Sequence, residues 1–296
     1  MNNKNKKVSA IILLVVTATM WSLGGLLIKS INAHPLAIAG TRSAISCIIM
    51  ILYVKKPKFN WSFTQIAAGV AYASMVITFV FSTKLTTAAN AILLEYTAPI
   101  FVALLSAWML KEKPKAIDWV TIMLVFGGMV LFFLDSLDAK GFAGNIFGLL
   151  SGISYALFTV FMRMQKNGSP IESVILGNAI SAIVGIPFIF MSVPDFKGWL
   201  FLVILGVVQL GIPYIMYSEA IKNASALEAS IITMIEPILN PIWVVLIIGE
   251  IPGVLSIIGG IIVIATVAIR CVILSSTKHT DEENLNEKME VKSIAS

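Results

Sequence analysis

Charged side chains are scarce in this chain. Across 296 residues Asp, Glu, Lys and Arg make up 12%, while hydrophobic residues make up 58%, against roughly a quarter charged in soluble globular domains. With a mean hydropathy of +0.92, that deficit excludes an ordinary water-soluble fold and points to an integral membrane protein. The 2 cysteines, Cys47 and Cys271, each lie within an apolar stretch, so a disulfide framework is excluded and both read as small buried hydrophobes. The 2 histidines, His34 and His279, stand too far from the cysteines and from each other to supply a metal-ligand set. Gly-x-Ser-x-Gly, His-Glu-x-x-His and Walker-type loops are missing as well. Their absence reads as no enzyme, no cofactor and no direct use of ATP. The net charge of +5 comes from short basic clusters between apolar runs, which suits loops at a membrane surface and not a nucleic-acid-reading face.

What the sequence has in abundance is long apolar runs. Lys4, Lys6 and Lys7 precede Val8–Ile28, which carries no charge at all. Trp21, Gly24, Gly25 and Lys29 continue that run where a signal peptide would offer a short core and a cleavage site, so it reads as an uncleaved first span. Nine more follow at about 36–54, 63–83, 87–110, 117–134, 144–164, 171–192, 198–220, 225–248 and 252–274, each long enough for a bilayer. The expected fold is all-α and integral to the membrane, with ten transmembrane helices. Its parts are a basic tail at 1–7, a first five-helix repeat at 8–138, a second at 139–274 and a disordered polar tail at 275–296. With the N-terminus inside, the inner segments collect the basic clusters around Lys7, Lys56, Lys113 and Lys278, while the outer side keeps only Lys29, Lys84, Lys140 and Lys197. Both termini are then cytoplasmic and the chain is multi-pass in the cell membrane.

The halves share a phrase. AANAILLEYTAPIFVALLSAWMLKEKP at 88–114 returns as ALEASIITMIEPILNPIWVVLIIGEIP at 226–252, and a constant shift of 138 pairs Ala88 with Ala226, Pro99 with Pro237 and Glu112 with Glu250. Trp21 and Lys29 match Tyr155 and Arg163 at a shift of 134. Lys113 flanks Glu112, whereas Ile251 stands at the matching position beside Glu250, as expected for turns on opposite faces. An odd number of spans per copy makes the two repeats inverted in topology.

Trp21-Ser22-Leu23-Gly24 with Lys29, Tyr96-Thr97-Ala98-Pro99 with Glu112, and Ala226-Leu227-Glu228-Ala229-Ser230 through Glu236-Pro237 to Glu250 resemble EamA-type members of the drug/metabolite transporter superfamily. The resemblance covers about residues 8–272. It implies a ten-helix secondary carrier, often an exporter of amino acids or related small metabolites, with a central cavity between the halves. The residues leave open a passive channel or facilitative pore, a multidrug or organic-cation exporter, proton coupling or none, and a monomer or a homodimer. The partners implied are the lipid bilayer and a small-molecule substrate, without nucleic acid.

Candidate cavity residues follow from depth. A side chain ten positions into a span lies about 15 Å deep, near the bilayer midplane, and Trp21, Tyr72, Glu95, Tyr155, Gln209 and Glu236 meet that condition. Pro99, Pro213 and Pro237 each free the carbonyl four residues earlier, which then seeks a cavity or a polar partner. On the eighth span Tyr217 shares a face with Gln209 and Pro213, and on the ninth Asn240 shares one with Glu236. Arg42, about 9 Å into its span, and Glu95, about 12 Å into its own, are expected to pair as a structural or gating couple. Glu236 is expected to carry the functional charge, either holding a proton or attracting a substrate ammonium group. Lys29, Lys84 and Arg163 are expected to snorkel to headgroups. Gly127-Gly128 and Gly259-Gly260 are expected to allow close helix packing or a dimer contact.

Overall fold

In a computed structural model, residues 3–134, 141–239, 254–255 and 257–273 are described. Every regular element among them is helical. Helix α1 (Asn3–Trp21) breaks at Ser22–Leu23 and resumes as α2 (Gly24–Ser30), followed by α3 (Pro35–Val54) and α4 (Phe63–Leu85). Helix α5 (Ala88–Glu95) breaks at Tyr96–Thr97, continues as α6 (Ala98–Leu105), and ends in a π-helical turn, Ser106–Leu110. Then come α7 (Ala116–Phe133), α8 (Phe142–Met164) and α9 (Pro170–Gly185), the last running on as a 3-10 turn, Ile186–Met191. Helix α10 (Phe196–Ile204) passes through a π-helical segment, Leu205–Gly211, into α11 (Ile212–Ala220). Helix α12 (Ala226–Thr233) and α13 (Ile257–Ile273) complete the set.

Local chemistry sets the starts of these helices. The Ser62, Thr87 and Asp195 side chains accept from the backbone N–H three residues on, and Ser225 with Glu228 forms a reciprocal capping box. Pro35 and Pro170 occupy first turns, where a missing N–H costs nothing.

Among the described residues seven helices are long and apolar enough to cross a membrane, and 116–132 and Ile257–Ile273 are shorter apolar helices. Side chains such as Leu52, Trp108, Met123, Ile183 and Ile261 lie more than half exposed, while Thr17, Arg42, Ser46, Asn178 and Thr233 are buried. Polar residues inside and a broad apolar exterior are what a bilayer requires and water does not tolerate. The span expected at 225–248 and the start of that at 252–274 lie partly outside the described residues, as do Asn240, Pro241, Glu250 and the tail at 275–296.

Contacts between helices exchange the two copies. The most extensive pairing sets α4 on α8, the third helix of the first copy on the first of the second; its reciprocal sets α11 on α1. Helices α3 and α9 meet each other, and α6 meets α12. A Cβ on Gly40 would stand 2.6 Å from the Gly185 backbone, and one on Gly185 would stand 2.2 Å from the Leu36 carbonyl, so these two helices touch main chain to main chain. The later glycine pairs serve one such contact within the chain: a Cβ on Gly259 would lie 2.4 Å from the Gly128 carbonyl.

The cations at helix ends do not behave as expected. Lys29 donates to the carbonyls of Thr83 and Thr86, Lys84 to that of Ile31, and Arg163 to those of Ile221 and Lys222. They satisfy the orphan acceptors that end a third helix or the short linker after the first helix in their own copy, so in place of headgroup snorkelling they are capping residues.

Candidate functional site

A cavity lies between the copies where helices depart from regularity. It is lined by Trp21 at the end of α1, Arg42 of α3, Met75, Val76 and Phe79 of α4, Glu95 and Tyr96 at the break after α5, Tyr155 of α8, Gln209 and Leu210 of the π-helical segment, Tyr214 of α11, and Glu236 just beyond the break after α12. The free space is about 40 Å³, room for a few ordered waters. The breaks follow from the sequence: Pro99 and Pro237 cannot donate and clash with the preceding turn, and the turns at 96–97 and 234–235 are equivalent under the duplication.

Polar links tie the wall together, and those of Arg42 to Gln209, Glu95 to Ser151 and Tyr96 to Glu236 and Thr233 cross from one copy to the other. Arg42 Nη1 donates to Gln209 Oε1 at 3.1 Å and Nη2 to the Val76 carbonyl at 3.2 Å. Ser151 Oγ donates to Glu95 Oε1 at 2.6 Å. The Tyr96 hydroxyl donates to Glu236 Oε2 at 2.5 Å, with the Thr233 carbonyl 3.0 Å away as its other acceptor. That carbonyl is one of those freed by proline, and Tyr96 is the partner it finds. Tyr155 Oη lies 2.9 Å from Thr233 Oγ1. The bonds of Arg42, the Tyr96–Thr233 bond and the Tyr155–Thr233 bond are between buried groups, so each would leave an unsatisfied group if broken, while Glu95 and Glu236 are half-buried.

Of the candidate residues, Trp21, Glu95, Tyr155, Gln209 and Glu236 line this one cavity. Tyr72 and Tyr217 stand behind the wall. Tyr72 packs edge-on against Tyr214 and bonds Asn178, while Tyr217 packs on Trp21 and bonds Thr159. Asn240 lies outside the described residues. The ion pair expected between Arg42 and Glu95 is not formed: both line the cavity, but Arg42 is taken by Gln209 and Glu95 by Ser151. Similar depth brought them to the same cavity, and neutral partners on nearer helices satisfied each first. Tyr96 and Tyr214 are wall residues that depth alone did not select. The signal for Tyr96 was its place between a carboxylate and a helix-breaking proline.

A second charged group gathers at one end of the bundle, that of the α1 N-terminus. Lys7 pairs with Glu228, Arg270 with Asp118, and Arg163 Nε with Glu112 Oε1 at 3.0 Å. Each pair joins a residue before position 135 to one after 141, so this end is tied across the copies. Lys222–Glu219, by contrast, is a local pair between the end of α11 and the turn after it, three residues apart.

Among known proteins, a pseudopaline exporter of Pseudomonas aeruginosa is 26% identical over 281 residues, spanning 91% of this chain and 97% of its own length. An uncharacterized transporter of Archaeoglobus fulgidus is 23% identical over 258 residues, 86% of this chain and 94% of that protein. A solved crystal structure covers 89% of this chain and 98% of its own, with a TM-score of 0.76 at 16% identity, which bears on the fold alone. The model of the EamA-like transporter family matches twice, at residues 8–134 and 142–270, the two copies found in the sequence. The chain therefore belongs to the EamA-like transporter family and is a membrane transporter, not an enzyme.

Proposed function

We propose that this transporter is a ten-span secondary carrier that moves a small metabolite, an amino acid or related compound, outward across the cytoplasmic membrane by alternating access. Its two halves, 8–138 and 139–274, are inverted five-helix repeats with both termini cytoplasmic. The observation that carries this reading is the cavity: its wall draws polar residues from both copies, and its cross-copy links are Arg42–Gln209, Glu95–Ser151 and Tyr96–Glu236. Links of that kind must be exchanged when the halves rock about a central site. The pairing of α4 with α8 and of α11 with α1 supports inversion, because each is the other with the copies interchanged. The three ion pairs tying the end nearest Lys7 fit a form closed on that side. Glu236 is the group for proton coupling or for a substrate ammonium. Export as the direction takes its support from the pseudopaline exporter.

An organic-cation exporter is the second reading. Trp21, Tyr96, Tyr155 and Tyr214 line the same cavity as two carboxylates, a combination that attracts cations by ring quadrupole and charge together.

Exchange measured in proteoliposomes tests the carrier. Saturable uptake accelerated by substrate preloaded inside is expected, and flux that neither saturates nor shows counterflow would make the protein a pore. Topology is read from Lys113→Cys and Ile251→Cys, made with Cys47 and Cys271 replaced. Impermeant reagent should reach one position from each side, and labelling of both from the same side overturns inversion.

A further inference from the structure

This inference rests on the central cavity being the transport site. Among the described residues, two of its buried wall donors find no acceptor. Arg42 is 1% exposed and its Nε–H has no hydrogen-bond partner; Trp21 is 4% exposed and its indole Nε1–H has none. Buried donors are almost always paired. Other polar groups of the wall are engaged: Glu95 by Ser151, Glu236 by Tyr96, Tyr155 by Thr233 and Gln209 by Arg42.

The charge of Arg42 is unanswered as well. Both acceptors of its guanidinium, Gln209 and the Val76 carbonyl, are neutral, and neither cavity carboxylate comes within ion-pair distance. A buried guanidinium is stable when an anion meets its fork, and carboxylate is the group whose geometry matches it. The wall is thus complete in acceptors for an ammonium and incomplete in an acceptor for Arg42 and Trp21. A ligand that carries a carboxylate fills both vacant donors.

We propose that Arg42 and Trp21 form the anchor for a carboxylate on the transported molecule, with Glu95 and Glu236 of the same cavity receiving its amino group. The site selects aminocarboxylates and rejects amines that lack the acid. An organic cation would meet Glu95 and Glu236 but would leave the Arg42 Nε–H and the Trp21 Nε1–H without an acceptor, so it gains less from the site than an aminocarboxylate does.

The test uses purified full-length protein in nanodiscs and proteoliposomes. Probes come in matched sets: each proteinogenic amino acid, its methyl ester, and the amine lacking the carboxyl. Thermal stabilisation and exchange are expected for at least one free amino acid, with its ester and amine weaker by about tenfold or more, a single charge-assisted bond's worth. Arg42→Gln should abolish the preference for the acid. Trp21→Phe keeps the ring packing on Tyr214 and Tyr217 and removes only the donor. It should reduce acid affinity several-fold and ester affinity less, because the neutral ester carbonyl is the weaker acceptor, so a folding failure of the arginine variant does not remove the test. Equal or better transport of ester or amine by the wild type overturns the anchor but leaves a working carrier. A preference for the acid that survives in Trp21→Phe and in any folded Arg42 variant overturns it too. Saturable exchange of no probe at all would remove the proposed amino-acid carrier reading and the anchor with it.

Discussion

Two interfaces that the duplication makes equivalent differ in regularity. Helix α4 meets α8, and both run unbroken for 23 residues. Helix α1 meets α11, yet α1 breaks at Ser22–Leu23 and the helix leading into α11 is π-helical over Leu205–Gly211. The regular interface, α8 against the first copy, is sealed by small residues against main chain: a Cβ on Gly144 of α8 would lie 2.7 Å from the Thr86 backbone nitrogen at the end of α4, and one on Gly152 would lie 2.8 Å from the Glu95 carbonyl and 2.9 Å from that of Leu94, both of α5. The irregular pair presents Trp21 and Gln209 to the cavity. One copy of the interface has kept its packing and the other has given up helix geometry to place functional groups. Departures of this kind are common at functional sites, π-bulges among them.

The largest effect should come from damage to the regular interface. Gly152→Leu forces a side chain into two backbone carbonyls that cannot yield, and a loss of about 3 kcal/mol is expected. It would appear as lost monodispersity and a lowered melting temperature in detergent. If Gly152→Leu folds as well as the parent, the packing of α8 on the first copy is not the rigid interface.

Next in size is a functional loss without a stability loss. Glu236→Gln keeps an acceptor for the Tyr96 hydroxyl and removes the charge, so folding should persist while exchange falls about tenfold or more, the scale of one charge-assisted bond. Wild-type exchange with an unchanged pH profile would make Glu236 a packing residue.

Gly24→Ala probes the irregular interface and should cost less than Gly152→Leu. A Cβ there would lie 2.9 Å from Gln209 Nε2, the end of a flexible side chain that can turn away. Stability should change by about 1 kcal/mol or less, while displacement of Gln209 from Arg42 raises KM. Stability loss equal to that of Gly152→Leu would erase the distinction between the interfaces. Smallest of all, Lys222→Ala removes a local ion pair at the end of α11, both of whose side chains are at least 29% exposed. A change within about 0.5 kcal/mol is expected.

The helical, membrane-embedded class and the duplication were legible because hydropathy and repetition act over tens of residues. The broken helices were legible in part: Pro99, Pro213 and Pro237 marked where carbonyls are freed, and breaks or π-helical turns stand beside each of them. Helix depth brought Trp21, Glu95, Tyr155, Gln209 and Glu236 to one cavity, since depth is a one-dimensional property that sequence position carries. What it does not carry is azimuth. Tyr72 and Tyr217 sit at the right depth and face the layer behind, and Arg42 finds Gln209 before Glu95. Partner choice among buried groups depends on angstrom-scale approach between helices far apart in the chain, which no local pattern encodes. The break at Ser22–Leu23 was hidden too, because Gly24-Gly25 reads equally well as a packing pair.

The crossing of α3 with α9 bears on motion. Where Gly40 meets Gly185, the helices have no interdigitated side chains, and ridges seated in grooves are what give packed helices their preferred angles. A contact made of main chain alone has no teeth to disengage. It sits where the two copies meet like with like, second helix on second helix, and farther along the same helices Met50 meets Asn178 and Cys47 meets the Ile175 carbonyl, so it serves as the free end of a pivot: the glycine end can change its angle while the side-chain end holds.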